Sequence, residues 1–163
     1  MRLTVFASAA LLALGLPIAT FAAGGADPPK PAASTPAVPA DPNFAQAKAM
    51  IEARNYANAI PLLQQVVQRD PRNADAYNLL GFATRASGNP RGSIQYYTQA
   101  LAIDARHLGA HEYLGEAYLM LDMPADADKM LARLDSLCVF GCTEYRMLKT
   151  AIANYKQGRK PTN

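Results

Sequence analysis

The chain has 163 residues, half of them apolar, and a formal net charge of +3. That length suits one domain with enough apolar content for a core, and so mild a charge gives no case for a nucleic-acid partner. Loss of an N-terminal segment containing Arg2 makes the chain milder still (+3 − 1 = +2).

Residues 1–22 read as an export signal. Arg2 supplies the positive end, Leu3 to Leu16 is an apolar run, Pro17 breaks it, and Thr20-Phe21-Ala22 puts small residues where signal peptidase acts. Cleavage before Ala23 is favoured on these processing features. The competing reading is an uncleaved anchor, since Leu3 to Phe21 approaches the ~20 apolar residues that span a bilayer. Only such an uncut signal would tie the chain to a membrane. The cut carries no Cys for a lipid, and there is no twin arginine. The expected location is the periplasm or the exterior. Residues 23–41 form a linker rich in Pro, Ala and Gly, which cannot bury apolar surface and favours extended geometry. Its expected role is reach.

Residues 42–137 read as helical hairpins. Asp41-Pro42 offers a cap and a first-position proline, and Phe44, Ala47, Met50 and Ile51 follow at helical spacing. Asn55 marks a turn. A second helix from Tyr56 to about Gln68 places Ile60, Leu63, Val66 and Val67 inward, with Pro61 expected to bend or loosen its first turns. Asp70-Pro71-Arg72-Asn73 closes the first hairpin. The second carries Tyr77, Leu80, Gly81 and Thr84, turns at Ser87-Gly88, restarts at Asn89-Pro90 and presents Ile94, Tyr97, Ala100, Leu101 and Ile103. The third carries His111, Leu114, Gly115, Tyr118 and Leu119, turns at Asp122-Met123, and runs from Pro124 through Ala127, Met130, Leu131 and Leu134. Residues 138–158 form a Cys-bracketed turn and a helix over Thr143–Gln157, whose stripe of Leu148, Ala151, Ile152 and Tyr155 covers the last hairpin. Residues 159–163 are a basic tail. From Arg146 onward there are five cations and no acid, which ordinarily keeps a terminal helix soluble and otherwise marks an acidic or anionic-lipid partner.

Gly81 and Gly115 lie 34 residues apart (115 − 81 = 34), and Ala59, Ser93 and Ala127 keep the same step. A helical pattern at this period means stacked hairpins. The small residues are expected to face one another where paired helices approach closely. With Tyr77, Leu80-Gly81, Ser93, Tyr97 and Ala100 in one unit, and His111, Leu114-Gly115, Tyr118, Ala127 and Leu131 in the next, the chain resembles the tetratricopeptide repeats. The first unit matches through Ala47, Ala59, Leu63 and Pro71, but has Asn43 and Gln46 where bulk is expected. The resemblance implies an all-α fold, a right-handed superhelical stack of about three hairpins plus a C-terminal capping helix. It also implies a concave groove lined by the first helix of each hairpin, where a peptide or protein segment lies. The matching positions are Phe44 and Lys48, then Asn78, Phe82 and Arg85, then Glu112, Tyr113 and Glu116. Phe82 and Tyr113 supply apolar contact and Asn78 suits an extended backbone, while Glu112 and Glu116 are expected to repel a terminal carboxylate. Ordinary solvated helix faces are the plainer reading of the same residues.

Cys138 and Cys142, the only cysteines of a chain expected to be exported, read first as a disulfide that fixes how the last helix docks. The rivals are a redox pair, weakened by three intervening residues instead of two, and a metal site with His107 and His111. Those histidines stand four apart, but His111 holds the repeat position that packs between helices. No nucleophile motif, phosphate loop or calcium loop accompanies them, so catalytic residues, metal ligands and a cofactor are not expected. The sequence thus points to a non-catalytic interaction module of the cell envelope, with a metal or thiol-redox protein as the alternative.

Overall fold

The structure is a computed structural model that describes residues 41–162. The expected export signal and all of the linker but Asp41 lie outside the described residues. Seven helices follow one another: α1 (Pro42–Glu52), α2 (Tyr56–Arg69), α3 (Ala74–Ala86), α4 (Pro90–Ile103), α5 (Leu108–Met120), α6 (Pro124–Leu137) and α7 (Thr143–Lys156). The fold is an all-α stack of tetratricopeptide-type hairpins. Among the described residues no helix is long and apolar enough to cross a membrane.

The step of 34 governs the boundaries. α2, α4 and α6 begin at 56, 90 and 124, and α3 and α5 at 74 and 108 (90 − 56 = 34; 108 − 74 = 34). The caps explain why. Asp41, Asn73, Asn89 and His107 each accept an amide hydrogen of the first turn, at 2.8, 2.9, 2.9 and 3.1 Å. Pro42, Pro90 and Pro124 occupy first-turn positions. α2 runs unbroken through Pro61 to Arg69. Arg54, Gly88 and Asp122, also 34 apart, all turn left-handed at φ 58°, 91° and 60°. Behind each, the next amide reaches back to the helix: Asn55 to the Met50 carbonyl, Asn89 to Thr84 and Met123 to Tyr118.

The core runs through the stack in three groups. Ala47, Leu63 and Leu80 anchor the first, Tyr97, Leu114 and Ala117 the middle, and Leu119, Leu134, Leu148 and Ile152 the last. The glycines differ from expectation. A Cβ on Gly81 falls 2.6 Å from the Tyr97 ring, and one on Gly115 falls 2.6 Å from Leu148 of α7. Each glycine therefore admits a large side chain and not a second small one. Gly115 is the seat of α7, which leans on α5 as well as on α6. Cys138 and Cys142 lie at disulfide distance with Cα atoms 5.5 Å apart, immediately before α7.

Candidate functional site

α1 touches α3, and α3 touches α5, so the first helices of the hairpins share one face. At its N-terminal end Phe44 and Lys48 of α1 meet Asp75, Asn78 and Leu79 of α3 around a hollow of about 220 Å³. Asn78 is buried to 7 % exposure, and its Oδ1 makes no hydrogen bond within the protein. A buried amide oxygen left in this way favours a donor arriving from outside. Asp75 is held on the far side by His107, whose Nε2 lies 3.0 Å from its carboxylate.

The other groove positions form a separate cluster around Arg85. Although an arginine on a helix face suggests an exposed contact, Arg85 is only 4 % exposed. Its guanidinium lies 2.9 Å from Glu116 and stacks 5.5 Å from the Phe82 ring and 5.7 Å from the Tyr113 ring. Tyr56, Phe82 and Tyr113 follow one another at ring separations of 5.9 and 5.1 Å. Glu112 is 2 % exposed, and burial, reinforced by Glu116, pushes its carboxyl up to about 8. Burial and Glu116 favour the protonated form of Glu112, and Glu116 is paired with Arg85, so the repulsion expected of the two acids is weakened. The sequence could not show this, because Arg85 and Glu116 are 31 residues apart (116 − 85 = 31) on different hairpins.

The histidines are engaged elsewhere. His107 caps α5, and His111 is buried with Nε2 3.2 Å from the Ala105 carbonyl oxygen, burial lowering its pKa. Among the described residues no three His, Cys, Asp or Glu side chains gather to hold a metal ion. A bonded Cys138–Cys142 pair offers no thiolate. Asp75 and Leu79 complete the hollow but were not among the groove positions. Their signal was their place beside Asn78 on α3.

Sequence profiles described as tetratricopeptide repeat match residues 44–105 and 84–152. The chain belongs to the tetratricopeptide-repeat family. Tetratricopeptide repeats are typically non-catalytic scaffolds for protein interaction, and that is what this fold supports. The TPR repeat-containing protein PA0015 of Pseudomonas aeruginosa is 34% identical over 64 residues, covering 39% of this chain and 61% of that protein. The MamA RS-1 ArsTM double mutant superposes at a TM-score of 0.56 with 24% identity, over 58% of this chain and 53% of its own. SycD, the type III secretion chaperone of Yersinia enterocolitica, solved with a peptide of the translocator YopD, gives 0.62 and 18% over 71% and 88% of the two chains. The chain spans about three-fifths of the length of PA0015 and about half that of MamA. These structural likenesses establish the fold.

Proposed function

We propose that this tetratricopeptide-repeat chain is a non-catalytic module of the cell envelope that holds an extended segment of a protein partner along the face of α1, α3 and α5. The observation that carries the reading is the hollow between α1 and α3. It combines the half-buried Phe44 ring, the Lys48 cation and the free Asn78 Oδ1. Those groups answer the needs of an extended backbone, which brings amide donors and carbonyl acceptors with side chains between them. The peptide carried by SycD supports the same use of a similar stack. Export is supported by the signal pattern of residues 1–22 and by a cysteine pair of the kind that persists in oxidising compartments.

The test is capture from native envelope extract with F44A/K48A, against a control carrying Q64A/Q95A at exposed positions on α2 and α4. The first is expected to stay folded, with a melting temperature lowered by loss of the Phe44 ring from the first core group, and to lose the bound partner; the second is expected to keep it. Equal capture by both removes the groove from consideration.

A further inference from the structure

At the other end of the molecule, α7 and the segment after it enclose a second hollow, of about 510 Å³. Arg146, Thr150 and Asn154 line it from α7, Glu116 from α5, and Arg159 and Lys160 from the segment that follows. Arg146 and Thr150 stand 34 residues after Glu112 and Glu116 (146 − 112 = 34; 150 − 116 = 34), so α7 extends the row of groove positions by one more helix. The size lies within the roughly 300–1,000 Å³ usual for ligand clefts.

The charges in this hollow are unequal in their freedom. Glu116 is tied to Arg85 at 2.9 Å, and Lys160 to Asp122 at 2.6 Å. Arg146 and Arg159 form no ion pair among the described residues. Arg146 Nη2 donates to the Thr143 hydroxyl at 3.3 Å, and Arg159 Nη2 to Asn154 Oδ1 at 2.8 Å and to Gln157 Oε1 at 2.5 Å. All three acceptors are neutral, and Glu116 of the same lining is taken by Arg85, so among the described residues neither guanidinium is paired with a carboxylate. Met147, Ala151 and Pro161 supply apolar wall between them.

We propose that this cleft receives the acidic end of the partner segment, with side-chain carboxylates on Arg146 and Arg159 and apolar neighbours against Met147. The assignment rests on the groove reading above and narrows the partner to a segment carrying Asp or Glu. Guanidinium groups pair with carboxylates through parallel hydrogen bonds, and exposed pairs of this kind weaken as salt rises. The apolar walls, and continuity with the groove row, favour a polypeptide over a bare anion or a lipid headgroup.

Nuclear magnetic resonance on the full chain tests this, with a blocked peptide alternating glutamate and leucine and its glutamine counterpart as probes. The glutamate peptide is expected to shift the amides of Arg146, Thr150, Asn154 and Arg159, and to bind less tightly at high salt. R146Q/R159Q, altered only at exposed side chains, is expected to weaken it about tenfold and leave the glutamine peptide unchanged. Equal affinity for the two peptides, or shifts confined to Phe44, Lys48 and Asn78, overturns the acidic assignment and leaves the groove standing. No shifts at either end overturns both. Phosphatidylglycerol vesicles perturbing the cleft amides that the peptide leaves unmoved would assign it to lipid and overturn the proposal.

Discussion

Glu112 faces Glu116 on its own helix, Arg85 on α3 and Glu144 on α7, and its Oε1 has no hydrogen-bond partner within the protein. Folded, it keeps its proton up to about pH 8, while an unperturbed glutamate releases it near 4.5. Between those values the folded state binds more protons, so stability falls as pH rises; below the window the cost is absent, and above it the cost is constant. E112Q removes the ionisation. Its advantage over the natural protein is expected to grow by on the order of a few kcal/mol between pH 4.5 and 8, read from urea unfolding. His111, whose pKa burial lowers, acts with the opposite sign, destabilising as pH falls, and is common to both proteins. A pH-independent difference rules out a neutral Glu112. A second residue prediction comes from the left-handed turns. Arg54 occupies at φ 58° the position that Gly88 fills without strain. R54G is expected to raise stability by about 0.5–1 kcal/mol, measured as the urea midpoint. D122G gives no such clean gain, because Asp122 also binds Tyr155 and Lys160.

At the scale of the helix, the hairpins were legible because their punctuation repeats. Asn73, Asn89-Pro90 and Pro124 each start a helix for a local reason that needs no tertiary contact. The stripe of α7 was legible too, and Leu148 and Ile152 are buried as its spacing requires. What the glycines receive was not. Gly81 and Gly115 share one repeat position, yet one admits Tyr97 from within its own hairpin and the other Leu148 from beyond the last. Likewise, nothing local distinguishes the buried Arg85 from a solvated helix arginine. The short Cys138–Cys142 bracket stands immediately before α7 and is expected to set its angle. Closing so small a loop contributes about 2 kcal/mol in the chain-entropy description. C138S/C142S is expected to lose about that much, with faster hydrogen exchange in α7 and unchanged exchange in α3 and α4. Unchanged exchange throughout α7 excludes the bracket as the element that sets its docking.

For the whole molecule, the neighbour-to-neighbour design has a consequence for how stability is shared. The three groups of the core lie in sequence along the stack, so damage at one end reaches the other only through the hairpins between. The ends are secured differently. Asp41 of the first cap receives Arg69 at 2.8 Å, joining α1 to the end of α2, whereas α7 is held by apolar burial over α5 and α6 together with the Tyr155 and Lys160 bonds to Asp122. Leu63 and Leu148, both fully buried, occupy the opposite terminal groups. L63A and L148A are each expected to cost about 2–5 kcal/mol. The loss should nevertheless appear in different places. Native-state hydrogen exchange should accelerate in α1 and α2 for L63A, and in α5 to α7 for L148A, with the far end changed least. Uniform acceleration in both variants means that the stack opens as one cooperative unit, which the separated core groups argue against.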